Sequence, residues 1–189
     1  EEDYAIVNCQ FDFGLVTLIV ANALLSEIMA RYSCSDYKLL AHCSGKCLEG
    51  LLVQHPFYPR TVPVVVGAHV TVDAGTGAVH TAPGHGMEDY LLGIEYDLPI
   101  DNPVGPNGCY LSETPIFAGL HINQANPQII DLMKQNDRLL HSTQIQHSYP
   151  HCWRHKTPTI LRATPQWFIS MDKMNLRRDS LEAIFKVQW

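Results

Sequence analysis

The chain has 189 residues, 46% of them apolar, and a formal net charge of −6. That length and apolar content can bury one core, which excludes a disordered chain, and the acidic balance excludes a free-standing nucleic-acid binder built on a dominant basic patch. The longest apolar run, Gly14 to Leu25, holds Asn22 and is too short and too polar to cross a bilayer, and no basic segment ahead of it marks a signal peptide.

Tyr4 to Gln10 and Leu15 to Val20, rich in Val, Ile and Thr and separated by Asp12 and Gly14, read as two strands. The period then changes: Leu24, Leu25, Ile28 and Met29 fall at helical spacing within Ala21 to Tyr32. A strand at Tyr37 to His42 follows, then an irregular or edge strand at Val62 to Val66, which carries Pro63. Val70 and Val72 read as a strand, and Thr76 to Thr81 as its partner. From Gly86 the pattern is helical, with Tyr90, Leu91, Ile94 and Leu98 as the apolar stripe. Asn107-Gly108 between Val104 and Tyr110 predicts a hairpin with a type I′ turn. Asn126 and Pro127 read as the N-cap and first residue of a helix running to about Gln135. The expected class is α+β: a mostly antiparallel, barrel-like sheet with peripheral helices.

The six cysteines, Cys9, Cys34, Cys43, Cys47, Cys109 and Cys152, lack the density of a secreted disulfide scaffold and read as free thiols of a cytoplasmic protein. The chain opens on Glu1 without a methionine and stops at Trp189 directly after a helix-like pattern, as expected of a piece of something longer.

One stretch concentrates the chemistry. GTGAVHTAPGHGMEDY, Gly75 to Tyr90, holds four glycines, two histidines and two adjacent carboxylates. His80 is expected at a strand end and Asp89 in the first turn of the following helix, with Gly84 and Gly86 allowing close backbone approach or left-handed conformations between them. This is the rim of a ligand pocket. Simpler roles exist for the same residues: a carboxylate in a first helical turn complements the helix dipole, and a strand histidine can be a packed, hydrogen-bonded residue. His80, His85 and Asp89 also read as a metal set, although no further ligand motif accompanies them.

The same stretch resembles the signature of the editing domain of class I isoleucyl-tRNA synthetases of bacterial type. Three further segments agree in order: NPVGPNGCY at Asn102 to Tyr110, HSYPHCWRHKTP at His147 to Pro158, and RATPQWFISMD at Arg162 to Asp172. The resemblance covers essentially the whole chain. It implies an editing domain over residues 1–146 and, over 147–189, a return segment toward the catalytic domain of the same longer chain.

It also implies hydrolysis of valyl-tRNA(Ile) or valyl-adenylate in a pocket that valine enters and isoleucine does not. A missing methylene in a hydrophobic pocket is worth only about 1–3 kcal/mol, a limit for which isoleucyl-tRNA synthetase is itself the standard example, so a second, size-excluding site is needed. By the resemblance, Asp89 anchors the substrate α-ammonium, His80 limits pocket size, and Thr81, Gly84, His85 and Gly86 shape the rim. Water is the nucleophile, and the terminal ribose hydroxyl assists. The implied partners are the tRNA(Ile) 3′ end, the valine moiety and the catalytic domain, with no membrane. No cofactor or metal is expected in this domain, whereas the full-length enzyme uses ATP and Mg.

The family's threonine-rich wall has no counterpart near Glu1. The alternative function is therefore a non-catalytic insertion that binds or positions the tRNA 3′ end. His147, His151 and His155, with Cys152, mimic a metal set, but Pro150 disfavours a helix that would align them. Arg154, Lys156, Arg162, Lys173, Arg177 and Arg178 give the C-terminal quarter a basic bias that suits tRNA, the catalytic domain or plain solvent.

Overall fold

The computed structural model describes residues 2–188. The two expected strands, β1 (Asp3–Phe11) and β2 (Gly14–Ala21), pair as a hairpin, in register from Tyr4 opposite Ala21 to Phe11 opposite Gly14. β3 (Tyr37–Ser44) adds antiparallel to the other edge of β1, giving the order β2-β1-β3. A bulge between Ile6 and Val7 takes up one residue of β3. Period-two alternation points Ala5, Val7 and Cys9 inward, each with no exposed surface. They pack against Ala21, Leu24, Ile28, Met29 and Cys34. Ile28 and Met29 come from α1 (Leu25–Arg31), which follows a 3-10 turn at Asn22–Leu24, so the single helix expected over Ala21 to Tyr32 is split in two.

A second, two-stranded sheet pairs β4 (Leu52–Gln54) with β5 (Thr61–Pro63). Pro63 ends β5 as an edge residue must, because it has no N–H to give to a ladder. The two sheets do not close on one another, so among the described residues the architecture is mixed α and β with small antiparallel sheets, and not a barrel.

The strands expected at Val70 to Val72 and Thr76 to Thr81 are absent among the described residues. The reason lies in where the backbone groups go. The Thr76 carbonyl accepts from the Ala21 amide at 2.8 Å, the Gly77 carbonyl from the Tyr4 hydroxyl at 2.6 Å, and the Gly75 carbonyl from Arg31 at 3.1 Å. Gly77 is left-handed at φ +79, and a Cβ on it would lie 2.4 Å from that of Ala21. A segment clamped this way to the end of β2 cannot pleat.

Helix α2 (Met87–Glu95) begins where the sequence indicates, but its buried side is Leu92 and Gly93, with Leu91 and Ile94 largely exposed. Gly93 decides this orientation: a Cβ there would lie 2.8 Å from Pro83, so α2 turns its glycine toward the preceding loop. The Asn107-Gly108 turn does join a bridge between Val104 and Tyr110, but only Gly108 has positive φ (+75), so it is not the type I′ turn expected. Helix α3 (Ile122–Gln135) starts four residues ahead of Asn126 and carries Pro127 inside it. His121 is its N-cap, its Nδ1 accepting from the Asn123 amide, which supplies the start signal that Asn126 was expected to give. Helix α4 (Leu176–Phe185) follows a turn in which Met174 and Asn175 are left-handed. Among the described residues no helix is long and apolar enough to cross a membrane.

Candidate functional site

The loop from His80 to Gly86 is built around three close approaches. The His85 amide donates to the Ala82 carbonyl at 2.8 Å, closing a turn over Pro83 and Gly84. Gly84 is buried, and a Cβ there would stand 2.1 Å from the Asp101 carbonyl oxygen, so only glycine lets the two backbones meet. At Gly86 a Cβ would sit 3.1 Å from an Asp89 carboxylate oxygen. Neither glycine has positive φ: close approach, and not a left-handed backbone, is why both are glycine.

Gly86 caps α2, and Asp89 lies in its first turn beside Glu88. The Asp89 carboxylate reaches back across the turn and accepts the Ala82 N–H at 3.1 Å. It therefore does more than complement the helix dipole, because it ties the head of α2 to the chain two residues past His80. Consecutive Cα atoms are about 3.8 Å apart, so the His80 Cα lies within about 8 Å of that of Ala82.

The C-terminal third of the chain laces this loop from the other side. The Ala163 amide donates to the Gly84 carbonyl at 2.7 Å, and Asn102 donates to the Ala163 carbonyl at 2.6 Å. Arg162 Nε donates to the Val104 carbonyl at 3.0 Å. His85 Nδ1 is 3.0 Å from the Leu161 carbonyl, which can only accept, so Nδ1 carries the proton and the neutral ring keeps Nε2 as an acceptor. His85 thus joins two segments by a directed bond that its sequence context does not disclose.

Asp89, His85, Gly84, Gly86 and Thr81 are brought together around one turn, all buried or half-buried, while His80 is exposed at its start. Two surface depressions, of about 410 and 310 Å³, are lined by Met171, Asp172 and Arg177 with their neighbours and by Phe117, Asp131 and Leu132 with theirs, and neither His80 nor Asp89 is among their lining residues. The chemistry of the loop, its carboxylate and imidazoles beside exposed backbone, marks the site better than surface shape does.

Sequence reasoning missed a neighbouring wall, the connection between β4 and β5. His55 Nδ1 accepts from the Phe57 and Tyr58 amides at 3.3 and 3.0 Å, and its ring packs edge-on against Phe57 at 4.6 Å. Burial holds His55 below the ordinary imidazole pKa, and the charges of Arg60 and then His80 push the same way. Arg60 in turn lies 3.8 Å from Asp101, the residue whose carbonyl faces Gly84. The His-Pro-Phe-Tyr run at His55 to Tyr58 was the available signal, since it combines a turn-forming proline with three rings.

No group of three or more His, Cys, Asp or Glu among the described residues could hold a metal ion. The His80, His85 and Asp89 set does not converge on one point: His85 Nδ1 is engaged by Leu161 and Asp89 by Ala82. In the C-terminal set, His147 and His151 bond to the neighbouring carbonyls of Ser148 and Tyr149, and Cys152 Sγ lies 3.3 Å from His155 Nδ1.

The family described as leucyl-tRNA synthetase, editing domain, matches residues 36–140. Over 172 residues, 91% of the chain, it is 57% identical to an isoleucine–tRNA ligase of Methylococcus capsulatus, covering 18% of that protein. The isoleucine–tRNA ligase of Nitrosococcus oceani is 55% identical over 98% of the chain and 20% of its own length, and that of Alkalilimnicola ehrlichii is 53% identical over the whole chain and 20% of its own length. The chain spans about a fifth of the length of these relatives.

Proposed function

The chain belongs to the editing-domain family of aminoacyl-tRNA synthetases and is matched throughout by isoleucine–tRNA ligases, and from that premise we propose that it hydrolyses valyl-tRNA(Ile) or valyl-adenylate for the longer enzyme. The observation that carries this reading is the Asp89 carboxylate, fixed by the Ala82 amide at the head of α2 in the loop that also bears His80.

A carboxylate held by one N–H keeps its remaining lone pairs for a cation, and the α-ammonium of an aminoacyl ester is the cation such a pocket must recognise. Charge-assisted bonding there orients the ester carbonyl, and water attacks it. The tetrahedral intermediate then expels the ribose oxygen, or the phosphate of the adenylate, and free valine leaves. His80, at the open side of the turn, supplies the bulk that refuses isoleucine. Exclusion by clash discriminates more sharply than loss of a methylene contact, because compressing a packed wall costs more than leaving a small void. Gly84, His85 and Gly86 hold the rim by the close approaches described above, and Thr81 lies between His80 and Ala82 on the same rim.

The hydrolysis uses water and protein groups, with ATP and Mg serving the ligase reaction elsewhere in the longer chain. The tRNA 3′ end and the catalytic domain are the proposed partners, and the six free thiols suit a cytoplasmic setting. Residues 1–146 form the editing unit in this reading and 147–189 the return toward the catalytic domain. The open edges of both small sheets support a barrel-like domain completed by other segments of the longer protein.

The exposure of His80 favours a second reading, in which the loop only positions the tRNA 3′ end. Deacylation of valyl-tRNA by the full-length enzyme carrying Asp89→Asn separates the two: hydrolysis needs the charge, and positioning does not.

A further inference from the structure

Two buried acceptors beside the site have no partner in the protein. The Leu161 carbonyl, 3.0 Å from His85 Nδ1, can only accept, so the neutral ring carries its proton on Nδ1 and Nε2 is a bare acceptor. Nε2 is shut off from solvent and takes no hydrogen bond among the described residues. Asn102 repeats the pattern. Its Nδ2 donates to the Ala163 carbonyl at 2.6 Å, which fixes the orientation of the amide and leaves Oδ1 buried and without a donor. Two of the four such side-chain atoms among the described residues thus belong to the contact between one turn and one short stretch.

That contact is close. The Ala163 amide also donates to the Gly84 carbonyl, at 2.7 Å, so residues 161–163 hold His85, Gly84 and Asn102 together. Asn102 Cα would lie 3.6 Å from a Cβ on Gly84, the residue before His85. A second proton on His85 would let Nε2 donate, but it would place a charge in this buried position with only a carbonyl to meet it. Two acceptors cannot satisfy one another, and a molecule that serves both must bring two donors in very little space. Water fits that description.

We propose that His85 and Asn102 hold the water that attacks the aminoacyl ester, with His85 Nε2 as its general base. The proposal rests on the editing reading and adds to it the groups that aim and deprotonate the nucleophile. A water donating one O–H to each acceptor presents a lone pair to the ester carbonyl carbon. As the C–O bond forms, the carbonyl π pair moves onto oxygen and the water's proton passes to Nε2. The imidazolium so formed is stabilised by its Nδ1–H bond to Leu161. When the carbonyl re-forms, the C–O bond to the ribose breaks and Nε2 returns the proton to the ribose oxygen. Valine, a free ribose hydroxyl and neutral His85 result, so atoms and charge balance. Asp89 meanwhile holds the ammonium from the head of α2, on the other arm of the same turn.

The test uses the full-length enzyme on valyl-tRNA, with His85→Asn, His85→Gly, Asn102→Ala, the double variant His85→Asn with Asn102→Ala and, as reference, Asp89→Asn. His85→Asn keeps an N–H for the Leu161 carbonyl and removes Nε2, so a residue that only joins segments would tolerate it. It is expected to lower kcat about 100-fold, as loss of a general base does, while KM changes less than about twofold. Imidazole in solution should restore part of kcat to His85→Gly. Asn102→Ala is expected to lower kcat about five- to tenfold and to have little further effect once Nε2 is gone, because the water it aims has already been released. Wild-type kcat in His85→Asn, in an enzyme that Asp89→Asn disables, overturns the base and leaves the editing reading standing. A fall in kcat matched by a collapsed melting temperature, and unrelieved by imidazole in His85→Gly, makes His85 structural and likewise overturns it. Losses that multiply in the double variant overturn the shared water. A wild-type enzyme that hydrolyses neither valyl-tRNA nor valyl-adenylate overturns the editing reading and the proposal with it.

Discussion

The Asp89 carboxylate accepts the backbone N–H of Ala82 at 3.1 Å, across the turn that separates the head of α2 from His80. One side chain thus sets both the entry of the chain into the helix and the position of the only carboxylate in the loop that reaches back over it. Structural and chemical work share the residue, and they can be separated, because the amide bond needs an acceptor whereas an ammonium needs a charge.

Asp89→Asn keeps an acceptor for Ala82 and removes the charge. The melting temperature is expected to stay within about 2 °C of wild type, while valyl-tRNA deacylation by the full-length enzyme falls at least tenfold, about 1.4 kcal/mol of lost binding to the transition state. Asp89→Ala removes both and lowers stability as well, by about 1 kcal/mol. Deacylation in Asp89→Asn at the wild-type rate would reduce Asp89 to a structural cap.

His80→Ala tests the size limit. The side chain is exposed at the start of the loop and makes no hydrogen bond among the described residues, so the change should leave thermal melting almost unmoved. In the full-length enzyme it should open the pocket to isoleucine, seen as hydrolysis of correctly formed isoleucyl-tRNA. Continued protection of that ester assigns the size limit to another residue.

Gly84→Ala is expected to destabilise the chain. Its Cβ would stand 2.1 Å from the Asp101 carbonyl oxygen, and backbone cannot swing aside as a flexible side chain can. Overpacking of this kind costs about 1–3 kcal/mol, which for a chain of this length lowers the melting temperature by roughly 2–12 °C. A variant melting with the wild type would show that Gly84 and Asp101 are not in contact.

The thiols provide a pH test of the core. Burial first, and the neighbouring Cys34 thiol second, push Cys9 up to about 11, whereas Cys47 is exposed. Iodoacetamide at pH 8 should therefore label native protein at Cys47 and spare Cys9, as peptide mass spectrometry would report. A folded pKa above the unfolded one contributes stability that is complete below the unfolded value, near 8.5, and is lost as pH rises through about 11. The melting temperature should fall across that window, and Cys9→Ala should flatten the fall.

Much of the architecture was legible because it is local. The β1–β2 hairpin, α1 with its Ile28 and Met29 face, β3, and the switch to helix at Gly86 all follow from periodicity and turn residues, signals that one stretch of chain carries alone. The Gly75–Tyr90 segment was recognisable for the same reason, as glycines, imidazoles and carboxylates at fixed spacing.

The misses around the site share one cause. Thr76 to Thr81 alternates as a strand should, yet its neighbouring carbonyls are taken by Ala21, Tyr4 and Arg31, which lie far away in sequence. The apolar stripe of α2 was read from period alone, but the fit of Gly93 against Pro83 turned Leu92 inward and left Leu91 and Ile94 outside. The approach of the Arg60 loop to Gly84 was not visible either, since only the contact of Arg60 with Asp101, and of Asp101 with Gly84, brings that loop there. Residue pattern, which acts over one or two turns of chain, determined the elements and the chemistry of the loop. The tertiary structure decided which backbone groups were already bonded and which side chains met, because both depend on partners ten or more residues away and leave no mark on local spacing.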